Sequence, residues 1–387
     1  MTARQWARTI VTLAVLAAHS IIGARQDTGN RASRTYARAI ELEAQGDQPA
    51  ALSLLWEAAG LAPNDADIQN RLGEALERIG ALDAAIAAYR QALSARPDSR
   101  KTSNNLILAL GKAGHGKEAV ERARALVALA PDDPDRRFTL GLAQSEVNVA
   151  DAIDSFRRVI GLAPKHVLAR YNLALALKRT DRLADALAEL DRTIAIEPRP
   201  EAYYARGVIY WHQGDLDRAA SAMRDALAAE PSYADAYSTL GSILKGNRDW
   251  RGAAAALRRA IALMPDQPAS HYTLAQVLRR NGDERGARNE LAEAEHLREH
   301  SRSEQEATMW TSAGIQKLDG GDLAGAIDLF QRAVSASDRY APAYYQMGRA
   351  FQLLGQRDAA RRAFAKAGEL NPSLAPPREP NLPESQS

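Results

Sequence analysis

Residues 66–99, ADIQNRLGEALERIGALDAAIAAYRQALSARPDS, read as two helices of about three turns each, joined at Gly80. Leu72, Gly73 and Leu76 share one face of the first helix, and Ala85, Ile86, Tyr89 and Ala92 share one face of the second. Pro97 then stops the second helix, because proline has no amide hydrogen to donate and its ring clashes with the preceding turn. The pattern returns in register at 32–65, 100–133, 134–166, 167–199, 200–233, 234–267, 268–301, 307–340 and 341–374. The fourth copy has lost a residue in its turn, where Asn148 stands in for glycine. The eighth has no closing proline, and ELAEAEHLREHSRSEQEA (290–307) carries strong helix formers past the usual stop. That run predicts a second helix longer than its siblings, with 302–306 as an insert extending it between eight repeats and two.

This spacing, with a small residue after Leu, an Ala four before an aromatic and a closing Pro, resembles the 34-residue tetratricopeptide repeat. The resemblance implies an all-α fold, a right-handed α-solenoid of about ten helix-turn-helix repeats. It also implies a non-enzymatic scaffold whose first helices line a concave groove for a protein or peptide ligand. Gly73, Gly141, Gly207, Gly241, Gly314 and Gly348 stand where the two helices of a hairpin cross, and Tyr89, Phe156, Phe330 and Phe364 fill the space opposite. No hairpin buries its apolar face alone, so stability accumulates from neighbour to neighbour.

The chain has 387 residues, 25% of them charged and 6% aromatic, which suits closely packed helices and leaves little for a β-sandwich or barrel. Lys plus Arg number 50 against 48 for Asp plus Glu, a balance that asks for no nucleic acid. With no cysteine, disulfides, thiolate metal sites, a cysteine nucleophile and a lipidated cysteine are excluded. Arg4 and Arg8 precede an apolar run, Thr9 to Ala18, and Ile22-Gly23-Ala24 follows with a small residue at the cut. Residues 1–24 thus resemble a secretory signal peptide, which would place the repeats in the periplasm or outside a bacterium. An uncleaved anchor needs about 20 apolar residues, and His19 and Ser20 interrupt a shorter run. A polar linker, Asp27 to Arg31, leads into the repeats, and the proline-rich tail, 375–387, is expected to be disordered.

Function has to come from the face that packing leaves unused. Tyr36, Phe138, Tyr171, Tyr204, Tyr272 and Tyr345 occupy the same place in six first helices. One turn further along come Leu142, Leu175 and Val208, then Trp211, Arg179, Arg279 and Arg280. Aromatic rings present large area at low entropic cost, so a row of them beside arginine suits a peptide with acidic groups. The chaperone-tail clamp of the family needs Lys and Asn on successive first helices, and the positions around Asn105 and Asn172 do not assemble it. His296-Leu-Arg-Glu299-His300 spells a zinc-peptidase pattern, but no third ligand accompanies it, and it reads as exposed helix surface. Gly111 to Lys117 approaches a phosphate loop, yet Glu118 takes the hydroxyl position, so the glycines serve a helix-helix turn. No cofactor or metal is expected. The alternative is a structural role in an envelope assembly, docking through the last repeat with Phe364 near its surface.

Overall fold

The computed structural model describes residues 29–371 and residue 374, and among these every regular element is helical. The leader, 1–24, and the tail, 375–387, lie outside the described residues. Helices pair as hairpins: α1 (29–44) with α2 (Gln48–Leu61), α3 (Ala66–Arg78) with α4 (Leu82–Ala95), and α5 (Arg100–Lys112) with α6 (Gly116–Leu129). Then follow α7 (Pro134–Ser145) with α8 (Val149–Leu162) and α9 (Val167–Arg179) with α10 (Leu183–Ile196); α11 (Pro200–His212) and α12 (Leu216–Ala229) come next in the chain. The chain continues through α13 (Ala234–Gly246), α14 (Trp250–Leu263), α15 (Pro268–Arg280), α16 (Glu284–Asp319), α17 (Leu323–Ala336), α18 (Ala341–Leu353) and α19 (Arg357–Leu370). It divides into two units, one ending at Ile209 and the other beginning at Tyr210, and each is an all-α stack in which successive helices pack on one another.

Local chemistry sets the helix ends. Asp65 accepts hydrogen bonds from the Asp67 and Ile68 amides at the start of α3, and Asp133 does the same for α7. Most hairpin turns use a left-handed residue, supplied by glycine at Gly80 (φ 77°) and Gly114 (φ 82°) but by Asp181 (φ 57°) and Arg248 (φ 60°) in two hairpins. The shortened turn departs from expectation. Asn148 has φ −150° and does not replace glycine; its side chain caps α8 by accepting from the Ala150 and Asp151 amides. The stretch read as a linker is helical from residue 29 onward.

Inside five of the hairpins a glycine faces a large side chain. A Cβ on Gly141 would sit 2.6 Å from Cε1 of Phe156, and one on Gly348 would sit 2.8 Å from the Phe364 ring. Tyr89, Phe156 and Phe330 are fully buried in this way. Phe364, expected near the surface, is only 9% exposed, because Gly348 lets it close against α18 and the Tyr345 ring meets it edge-on at 5.5 Å. The structure therefore removes it as an exposed anchor for end-to-end docking.

At four of the closing prolines, the side chain six residues later clasps that proline's carbonyl. Gln69 donates to Pro63 at 3.2 Å, Arg137 to Pro131 at 2.8 Å and Arg170 to Pro164 at 3.0 Å. His271 fills the same place in α15, with Nε2 at 2.9 Å from the Pro265 carbonyl and Nδ1 at 2.7 Å from Glu290. The α16 helix is 36 residues long and continues without a break through 302–306, serving as the second helix of one hairpin and the first of the next. Residues 287–313 contain neither glycine nor proline, so nothing in that stretch stops it.

Candidate functional site

In the first unit the expected row divides into two environments. Tyr36 is part-buried against the core cluster formed by the early hairpins, whereas Phe138, Leu142, Tyr171 and Leu175 lie part-buried against a separate cluster built around Phe156, Leu173 and Leu177. Between them, α3 and α5 carry Asn70 and Asn104 at the ring position, so the aromatic surface begins at α7. Phe138 packs 5.9 Å from the Phe156 ring and 4.9 Å from the His166 ring. Tyr204 and Val208 on α11 are also part-buried. Burial pushes the Tyr171 phenol above its usual range, and the neighbouring Glu201 carboxylate adds to the rise. These rings present one side to the core and keep part of the other side in solvent.

The stretch of α3 and α5 that breaks the row is a polar network that the ring pattern concealed. Asn105 Nδ2 donates to Asn70 Oδ1 at 3.3 Å and to Glu74 Oε1 at 3.2 Å. Lys101 lies 2.7 Å from Glu74, while Arg71 bridges Glu74 at 3.0 Å and Glu43 at 2.6 Å. Burial opposes ionisation of Glu74, but hydrogen bonds from Lys101, Asn70 and Arg71 hold its carboxyl below the ordinary range. A related ladder joins the C-terminal ends of successive first helices: Glu43 to Arg78 at 2.6 Å, Glu77 to Lys112 at 2.6 Å, and Glu146 to Arg179 at 3.8 Å. Arg179 also donates to the Ser145 carbonyl at 2.5 Å, so this expected groove cation is already engaged. The recurrence of an acid and a cation about one repeat apart is the sequence signal that could have found the ladder.

In the second unit, Trp211 is 41% and Tyr272 51% exposed. Tyr272 stands apart, since the ring position on α13 is Ser238, which hydrogen-bonds Ser270 at 3.0 Å, and on α16 it is the buried Thr311. Arg279 and Arg280 are exposed at the end of α15, and Tyr345 is part-buried on Phe364. His296 and His300 are exposed and face Glu293 and Glu304 at 3.9 and 3.6 Å; among the described residues no three His, Cys, Asp or Glu side chains converge as metal ligands. The glycine-rich stretch after Gly111 is the α5–α6 turn. No helix among the described residues is long and apolar enough to cross a membrane.

Comparison with known proteins agrees with this hairpin geometry. A tetratricopeptide repeat pattern matches residues 36–100, 104–167, 147–199, 171–234 and 238–296, and a second matches 341–374. FlbA of Caulobacter vibrioides is similar at 27% identity over 164 residues, which is 42% of this chain; the match spans 28% of FlbA's own length. Among solved structures, a tetratricopeptide repeat protein from Parabacteroides merdae matches with a TM-score of 0.51 at 19% identity, covering 64% of this chain and 98% of its own. A thermophilic protein of the same repeat type from Thermus thermophilus has a TM-score of 0.42 at 23% identity, over 46% of this chain and 98% of its own. With the repeat pattern matched along most of its length, the chain belongs to the tetratricopeptide repeat family.

Proposed function

We propose that the protein is a non-enzymatic scaffold that holds a segment of another protein against its first helices. The observation supporting this reading is the placement of the six rings. None is buried, although the hairpins have interior positions that seal a ring completely, as at Tyr89, Phe156 and Phe330. A ring seated on the core by one side is already ordered, so a partner covering the other side gains apolar contact at little further entropic cost.

The test is affinity capture from envelope extract with the intact chain, followed by mass spectrometry, against a Tyr171→Ala/Tyr204→Ala variant. Aromatic anchors each contribute on the order of 2 kcal/mol to an interface, so captured partner is expected to fall at least tenfold while far-ultraviolet circular dichroism stays at wild type. Loss of helicity would identify the rings as core. We also propose, from the leader-like residues 1–24, that the mature chain acts in the periplasm or outside the cell. Mass spectrometry of the chain isolated from osmotic-shock fluid checks this: an N-terminus at Arg25 is expected, and an intact Met1 in the cytosolic fraction would refute it.

A further inference from the structure

The end of α15 breaks a rule the first unit follows. There, the cation in the last place of a first helix meets a carboxylate at the end of the preceding one: Arg78 on Glu43, Lys112 on Glu77 and Arg179 on Glu146, while Lys178, one residue before Arg179, has no such partner among the described residues. The residue that stands to Arg280 as Glu43 stands to Arg78 is Lys245, another cation. Lys245 instead donates to Gln276 Oε1 at 2.9 Å, which fixes it against α15. Among the described residues, Lys245, Arg279 and Arg280 have no ion-pair partner. The negative end of the α15 macrodipole favours the two arginines, but it supplies only about half a charge and acts equally on the cations that do have carboxylates. Tyr272, Gln276, Arg279 and Arg280 recur at helical spacing on one face, and Tyr272 is 51% exposed.

We propose that this face of α15, with Lys245, docks an acidic protein segment. Carboxylates of the segment engage Arg279 and Arg280 where the chain has left out its own acid, and an apolar or aromatic side chain covers Tyr272. Guanidinium groups pair carboxylates through two parallel hydrogen bonds, which fixes orientation as well as charge. The inference rests on the reading that the first-helix faces take partner segments, and it names the chemistry of one of them.

Fluorescence anisotropy tests it with the full chain and a labelled peptide, Gly-Ser-Glu-Glu-Leu-Phe-Glu-Glu-Gly-Ser, beside its Gln-for-Glu counterpart and a thymidine oligonucleotide of equal length. The acidic peptide is expected to bind at least about tenfold more tightly than the Gln peptide, and Arg279→Gln/Arg280→Gln to weaken it by a further factor of about ten. Lys245→Glu rebuilds the missing rung, and it is expected to weaken the peptide similarly while raising the melting temperature. Arg258→Gln/Arg259→Gln removes the same charge from exposed positions on α14 and is expected to change the affinity by less than about twofold. Equal weakening by both double variants, no preference for Glu over Gln, or tighter binding of the oligonucleotide through the same arginines would overturn the proposal. If the acidic peptide fails to bind while the Tyr171→Ala/Tyr204→Ala variant still loses its captured partner, this inference falls and the scaffold reading stands.

Discussion

Replacing Gly141 by Ala tests the packing that supports the aromatic surface. The added Cβ would lie 2.6 Å from Cε1, 2.8 Å from Cδ1 and 3.1 Å from Cζ of Phe156. That ring is fully buried and 5.9 Å from Phe138, so it has no free end to swing aside. Overpacking of this kind costs about 1–3 kcal/mol, against a gain of up to about 1 kcal/mol from the better helix propensity of Ala. The net expectation is about 1–2 kcal/mol of destabilisation, a fall in melting temperature of roughly 3–6 °C. Gly161, near the end of α8 with nothing within 4 Å of a Cβ, is the control, and Gly161→Ala is expected to be neutral or stabilising. The chain also contains its own remedy. In α9 and α10 the buried pair is Ala174 with Leu190, so Gly141→Ala/Phe156→Leu reproduces a combination the fold already uses. The double variant is expected to be more stable than the two single effects summed, by at least about 0.5 kcal/mol. Because long arrays depart from two-state unfolding, the assay is amide exchange in α7 and α8 beside thermal melting. A Gly141→Ala chain as stable as wild type, with no coupling to position 156, would refute the reasoning.

The remaining predictions concern turns, charges and the proline clasp. Arg248→Gly is expected to stabilise by about 1 kcal/mol in thermal melts, since a side chain at φ 60° is strained, and Asp181→Gly (φ 57°) by less, because Asp tolerates that region better. The Glu74 carboxyl is held below its ordinary value of 4.5 despite burial, so its stabilisation is present above that value and is lost as pH falls through the lower folded value. Denaturant melts below pH 4.5 are therefore expected to show a shallower acid loss for Glu74→Gln than for wild type. His271→Ala leaves the Pro265 carbonyl and the Glu290 carboxylate unpartnered, at a cost of about 1–3 kcal/mol by urea denaturation. His271→Arg, which places in α15 the residue that α9 has at Arg170, is expected to recover most of that loss.

Much of the fold was legible because it rests on size and spacing, which a sequence displays directly. Gly141 beside Phe156 and Gly348 beside Phe364 follow from the register alone, as do the turn glycines. Phe364 was misjudged because its exposure depends on how closely α18 and α19 approach, which spacing does not give. Asn148 was misread because the sequence shows a polar residue at a turn without showing whether its backbone or its side chain is being used. The row of rings was legible as positions but not as an environment. Whether Tyr36 and Phe138 share a surface depends on Asn70, Glu74 and Asn105 between them, whose hydrogen bonds across the helices appear only when α3 and α5 are brought together.

The uninterrupted α16 also bears on how this end of the chain comes apart. Arrays of separate hairpins can unravel one hairpin at a time, each boundary breaking only a short turn. Here the packing of α15 and the packing of α17 and α18 are anchored on one rod. Releasing either set frees half of that helix, and the freed half must re-nucleate or ride on what remains. Fraying from the C-terminal side should therefore halt after α18 and α19 leave, with α15, α16 and α17 melting in a single concerted step.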